Sequence, residues 1–212
     1  GMNNYGVGIC CNTVLQLDFN PRGLAEDFIV RKVLQQKNLA EVMTFMRSIP
    51  HASGQNYVIG DPTRVTDLEC SAHKVVEVPP QPDTQRLYHT NHPLHNDDTG
   101  SWDALWARGE REAPQMIDQM KVRMTTFDRY ESLKRGVETD LPLDVRRAAE
   151  ILSDHTAPVC LHHTPDGNYT LGCLIMELDA EHPRLQAAAP RPPACGGSRS
   201  PRAAPARSRS GT

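Results

Sequence analysis

Apolar residues recur along the chain with two different periods. Leu39, Val42, Met43 and Met46 fall at i, i+3, i+4 and i+7, one face of a helix that Asn38 can cap and Pro50 can end. Just upstream, Leu24–Lys37 carries Phe28, Ile29 and Val33 on one side, so a helical hairpin is expected over 24–50. The same spacing returns at Met116, Ile117, Met120 and Met124. It returns again at Phe127, Tyr130 and Leu133, with Thr126 as a cap and Gly136 as the stop, and a further helix is expected over Asp144–Ser153.

Between these helices the pattern shortens to extended segments. Tyr5–Cys11 reads as a buried strand after a turn at Asn3-Asn4. Gln55–Ile59, Val65–Cys70, Lys74–Val78 and Arg86–His89 follow, broken by Gly60-Asp61-Pro62 and by Pro79–Asp83. Their links are too short for a helical crossover, so an antiparallel meander is expected. Asp97–Gly100 reads as a loop. Val159–His162 and Asn168–Leu178 read as a last hairpin, turned at Pro165-Asp166-Gly167. Helices and strands are segregated rather than alternating. That order predicts an α+β fold with two stacked antiparallel sheets covered by helices.

The charge balance narrows the function classes. With 23 basic and 26 acidic residues the net charge is −3, which argues against a nucleic-acid partner. No apolar run approaches about 18 residues, so neither a membrane span nor a membrane partner is expected, and the first residues do not have the form of a signal peptide. Ala187–Thr212 holds five arginines, no acidic residue and almost no large apolar side chain, so the C-terminal stretch is expected to be disordered. The cysteines Cys10, Cys11, Cys70, Cys160, Cys173 and Cys195 form no CxxC pair. Free thiols in a reducing compartment, and a cytoplasmic location, are expected.

Three clusters carry candidate chemistry. In His89-Thr90-Asn91-His92, the Asn91 amide is a neutral donor at a strand end that can stabilise a developing oxyanion, an effect worth about 3–4 kcal/mol in acyl transfer. A polar loop, or a metal site built from His89, His92, His95 and Asp97, are the competing readings of that cluster. Ser53 stands at a helix-to-strand junction, where a nucleophile without the usual elbow competes with a turn or cap role. Cys160 lies near His163, as a thiolate pair requires, yet strand neighbours point to opposite faces, and a buried structural thiol is the alternative.

Three of these segments, in order, resemble a known family. They are Gly1-Met2-Asn3-Asn4-Tyr5-Gly6-Val7-Gly8 followed by Asn12; Ala52-Ser53 leading into Asn56–Asp61, with Glu69 in the next strand; and Tyr88-His89-Thr90-Asn91-His92. The chain resembles the acyl-coenzyme A:aminopenicillanic acid acyltransferases (isopenicillin-N acyltransferases), which are N-terminal-nucleophile hydrolases. The likeness runs over roughly residues 1–180, and the His-Thr-Asn-His piece is its most specific part. The resemblance implies a partial four-layer αββα sandwich over residues 1–183, an incomplete N-terminal-nucleophile hydrolase domain, with 184–212 as an Ala/Pro/Arg/Ser-rich tail. It implies a cysteine enzyme that attacks an amide or acyl-coenzyme A thioester through an acyl-enzyme and needs no cofactor. Asn91 would be the oxyanion donor, Ser53 would line or position the site, and Cys160 and His92 would lie on the substrate side. The family's nucleophilic cysteine precedes the segment at which this chain starts. The chain is therefore expected to be a fragment that is inactive alone and prone to self-association. A non-catalytic binding or scaffold remnant of the same fold is the alternative.

Overall fold

The computed structural model describes residues 1–155, 159–161, 169–179, 181 and 184–188. The first sheet is a four-stranded antiparallel meander in the order β1 (Gly8–Thr13), β2 (Gln55–Gly60), β3 (Val65–Cys70) and β4 (Val75–Val78). One face of it is covered by α1 (Glu26–Val33) and α2 (Leu39–Ser48). The core between them joins Ile9, Tyr57, Ile59, Leu68 and Cys70 of the sheet to Ile29, Val33, Leu39, Val42, Met43 and Met46 of the helices. Each large side chain buried there contributes about 1.5–3 kcal/mol. Asn38 caps α2 as its sequence predicts, accepting the Glu41 N–H at 3.0 Å. The Asp61 carboxylate takes a second free amide of that helix end, Leu39 N–H, at 2.8 Å.

β5 (Cys173–Glu177) and β6 (Arg184–Ala188) make a second antiparallel pair. It meets the first sheet at a dent. Gly8 and Gly60 stand opposite each other in the β1–β2 register. A Cβ on Gly8 would lie 2.7 Å from Leu178 Cδ2, and one on Gly60 would lie 2.6 Å from Leu178 Cδ1. Only glycine at both positions lets this leucine reach the backbone of the sheet. α6 (Val145–Leu152) packs on β5, and α5 (Thr126–Val137) packs on α6. The expected α+β order of helix, sheet, sheet and helix is present.

α3 (Gly100–Glu112) and α4 (Pro114–Arg123) pack together and extend the helical part. No helix among the described residues is long and apolar enough to cross a membrane.

Several local expectations are corrected. The first strand begins at Gly8, not Tyr5, because the preceding turn is larger. Asn3 Oδ1 accepts the N–H groups of Tyr5 (2.9 Å) and Val7 (3.0 Å), and Gly6 takes a positive φ of 80°. α1 is shorter than Leu24–Lys37 because Leu24 instead bonds the segment around Pro50 and Ala52. Arg86–His89, expected as a strand, joins no sheet among the described residues. Its Arg86 guanidinium reaches across to the end of α5, donating to the carbonyls of Val137, Thr139 (2.8 Å) and Leu141 (2.8 Å). α3 occupies a stretch with no apolar stripe to announce it, and none of its residues is buried.

Gly136 does not stop α5. It lies inside the helix, where a Cβ would come within 3.0 Å of Ile151. The last hairpin is shifted as well. Cys173 pairs with Ala188 and Glu177 with Arg184, while Val159 and Cys160 form a turn and bend. β6 thus lies within the stretch assigned to the tail. Pro165-Asp166-Gly167, and the tail beyond Ala188, lie outside the described residues.

Candidate active site

The candidate site grows out of one buried carboxylate. Glu69 sits on β3 facing away from the α1–α2 core, and neither its side chain nor that of His89 is exposed. Its two oxygens accept the N–H groups of Leu94, His95 (2.9 Å) and Asn96 (2.6 Å), and His89 Nε2 at 2.8 Å. A loop from His89 to Asn96 is thereby wound around a single side chain. Burial by itself would raise the Glu69 pKa, but these donors outweigh it and hold the carboxyl below its ordinary value.

The His89 ring has a carbonyl acceptor on its other side, since Nδ1 lies 2.7 Å from the Thr90 carbonyl. Carboxylate and carbonyl both only accept, so both ring nitrogens donate and the imidazole is cationic. Burial opposes that charge, yet Glu69 and the other acceptors around it raise its pKa above the ordinary value.

The loop is fixed on its other side by Thr126, the first residue of α5. Its hydroxyl oxygen accepts Asn91 N–H at 2.8 Å and lies 3.0 Å from His92 Nδ1, while its carbonyl accepts the Thr90 hydroxyl at 3.0 Å. The Asn91 side chain is then held at both ends. Its Nδ2 donates to the Thr13 carbonyl at the end of β1 (2.9 Å), and its Oδ1 accepts from Arg129 at 2.8 Å. An amide NH2 carries two donors, and the second has no acceptor among the described residues.

Asn91 lines a cavity of about 390 Å³ together with Thr13, Gln16, Trp102, Met124 and Arg129. Gln16, Trp102 and Met124 also wall an adjoining cavity of about 560 Å³, with His92, Trp106 and Phe127 and, among its polar lining, Asp103 and Lys121. The indoles of Trp102 and Trp106 stack at 5.3 Å, and the His92 ring lies 4.3 Å from Phe127. The cleft therefore presents an apolar, aromatic bed with an oriented amide and a guanidinium at one end. Burial lowers the pKa of His92, so the neutral ring is favoured beside those aromatics.

The other residues singled out from the sequence fall elsewhere. Ser53 lines neither cavity. Its hydroxyl accepts from Gln55 Nε2 at 3.0 Å, just before β2, and Gln55 is paired with Thr13. Ser53 is thus near the strand end that carries the Asn91 acceptor, in the position of a turn residue. Cys160 is buried, and its N–H donates to the Asp154 carbonyl at 3.0 Å. It lines neither cavity, and His163 lies outside the described residues.

His89, His92, His95 and Asp97 do not gather around a common point. The first two have the partners given above, His95 is exposed, and Asp97 pairs with Lys74 at 2.5 Å. Among the described residues one other group, Asp18, His73 and Asp98, brings ligand atoms within 4.8 Å of one another. Arg129, Gln16 and Trp102 carry no sequence motif, and Thr126, expected as a cap, is instead the first residue of α5 and uses its hydroxyl on Asn91. Glu69 is visible in the sequence only as an acid, beside Asp67, in an otherwise strand-like run.

A sequence profile of acyl-coenzyme A:6-aminopenicillanic acid acyl-transferases matches residues 1–192. The chain belongs to this acyltransferase family. No curated protein sequence matches it. In this acyltransferase-family chain the Asn91 loop and the aromatic bed are neighbours.

Proposed function

We propose that the chain supplies the oxyanion-stabilising amide and the acyl-binding cleft of an N-terminal-nucleophile cysteine enzyme that cleaves an amide or thioester and passes the acyl group to water or an amine. Asn91 is the reading's anchor. Its amide is held by Thr13 and Arg129 at the wall of a cavity, with one N–H unpaired among the described residues. As the attacked carbonyl becomes tetrahedral, negative charge grows on its oxygen, and that N–H meets it without changing charge itself. His92, with Trp106 and Phe127, forms the apolar bed for the acyl group. Ser53 acts on the β1–β2 end rather than on the substrate.

The attacking thiol is not one of the five described cysteines, none of which lines either cavity. We infer that none of these five thiols is the nucleophile and that the described residues alone turn over no substrate. The same fact favours a second reading, a binding module of the same fold. Cys10, Cys11, Cys70 and Cys173 carry free thiols, which supports a reducing, cytoplasmic setting. Leu171, Leu174 and Leu185 are exposed at and beside the β5–β6 pair, which supports self-association.

The test is an NMR titration of the chain with an N-acyl amide, alongside assays for released amine or thiol. Saturable shifts of the Asn91 side-chain NH2, absent in Asn91→Ala, are expected with no product. Turnover by the chain, or binding that leaves Asn91 unmoved, overturns the proposal.

A further inference from the structure

Arg129 is the one charged residue, among the described residues, that lines the cavity holding Asn91. It stands on α5, and its Nη2 donates to Asn91 Oδ1 at 2.8 Å. A guanidinium carries five N–H donors. This one makes no ion pair among the described residues, and its Nε and Nη1 have no hydrogen-bond partner there. Neither atom is buried, so both remain open to a ligand. Arg86, which also reaches across the fold, instead spends its guanidinium on three backbone carbonyls. Burial pulls the Arg129 pKa down, and no carboxylate near it opposes that shift. Trp102, Met120 and Met124 make the adjoining wall apolar. A half-buried cation that has lost water without gaining a counter-charge is costly to keep.

We propose that Arg129 is a specificity residue of the cleft, binding the carboxylate of an amine partner that is an amino acid or its N-acyl derivative. The inference rests on the reading of Asn91 as oxyanion donor and of the aromatic cavity as the acyl site. Position decides on which side of the scissile bond the anion lies. Arg129 lines the cavity of about 390 Å³ and not the aromatic one that takes the acyl group. With the carbonyl oxygen at Asn91, the part of the ligand that faces Arg129 is the amine side. In an N-acyl α-amino acid only the nitrogen and the α-carbon separate the carbonyl carbon from the carboxylate. The guanidinium is one hydrogen bond away from the Asn91 amide, so a carboxylate at that spacing meets its unpaired N–H groups. Guanidinium and carboxylate match as planar groups in a two-point contact. An acyl-coenzyme A donor carries its phosphates at the far end of the pantetheine arm from the thioester. It therefore leaves the Arg129 position to the amine, and thioester donors and amino-acid acceptors are compatible in one cleft.

Three benzamides test this on the unmodified chain by calorimetry and NMR. N-benzoylglycine carries its carboxylate on the amine side, N-benzoylglycinamide replaces it with a neutral amide, and N-methylterephthalamate carries it on the acyl ring. N-benzoylglycine is expected to bind at least about ten-fold more tightly than the other two. It should shift the Arg129 Nε–H signal together with the Asn91 side-chain NH2, whereas N-benzoylglycinamide shifts Asn91 alone. In Arg129→Gln the preference is expected to vanish, and in Arg129→Lys, which keeps a point charge without the planar fork, to survive in part. Equal binding of N-benzoylglycine and N-benzoylglycinamide to the unmodified chain overturns the role of Arg129 and leaves the cleft assignment standing. An equal gain from N-methylterephthalamate also overturns it, because the anion would then lie on the acyl side. Absence of any saturable binding at Asn91 overturns both.

Discussion

Glu69 and His89 form an ion pair 2.8 Å apart with neither side chain exposed. Removing one partner of such a pair strands the other charge away from water and costs about 3–5 kcal/mol. Glu69→Ala should lose that much stability in denaturant titrations, and more than His89→Gln, because Glu69 also holds three backbone N–H groups. The pH dependence follows from both shifts. Glu69 is depressed, so its contribution is complete above the ordinary carboxylate value of 4.5 and is lost as pH falls through its folded value. His89 is raised, so its contribution is complete below 6.5 and is lost as pH rises through its folded value. The stability gap between the chain and Glu69→Ala is expected to be widest between those limits. A gap that stays flat across the range contradicts the ion pair.

Asp67 behaves in the opposite sense. Burial raises its carboxyl to about 6, despite hydrogen bonding from Asn56, and its Oδ2 has no partner among the described residues. The folded state therefore holds this proton more tightly than the unfolded chain, and stability falls as pH rises from 3.8 towards 6. Asp67→Asn keeps the acceptor for Asn56 and removes the charge. It should stabilise the chain by about 2–3 kcal/mol above the folded value, with little effect in acid. Equal stabilisation at both ends of the range would show that ionisation is not the cause.

Thr126 is the shared anchor of Thr90, Asn91 and His92. Thr126→Val preserves the shape and deletes the hydroxyl. A loss of about 1–3 kcal/mol is expected, since Asn91 N–H is left without its acceptor. A general loss of packing would spread its effects. The specific signature is faster hydrogen exchange at Asn91 N–H, with the amides bound by Glu69 unchanged.

Much of the first sheet and its helices was legible in the sequence because burial there follows one period per element. Leu39, Val42, Met43 and Met46 announce α2, and the short apolar runs announce β2 and β3. The cleft was legible only through its loop. His89 to His92 formed a recognisable word, but what orients Asn91 comes from Thr13, Thr126 and Arg129, which are distant in sequence and individually ordinary. α3 escaped because its two tryptophans face a cavity rather than a core, so no apolar stripe forms. β6 escaped because Arg184–Ala188 has little apolar character, and the Asp-Gly turn signal pulled the hairpin elsewhere.

The apolar surface of β5–β6 gives a further expectation. Leu174 is 57% exposed and Leu185 is 53% exposed. Sedimentation velocity is expected to show concentration-dependent association of the chain, reduced in Leu174→Lys. A monodisperse monomer across the accessible concentration range counts against it.

The attachments at the two ends of the 86–96 segment answer differently to acid. At its far end it is tied to the sheet through Glu69, a link that protonation dissolves. At its near end Arg86 grips three backbone carbonyls, an attachment built without any carboxylate or imidazole. Acidification should thus loosen the segment at its far end only, while Arg86 and the Thr126 and Thr13 bonds in its middle keep the rest in place.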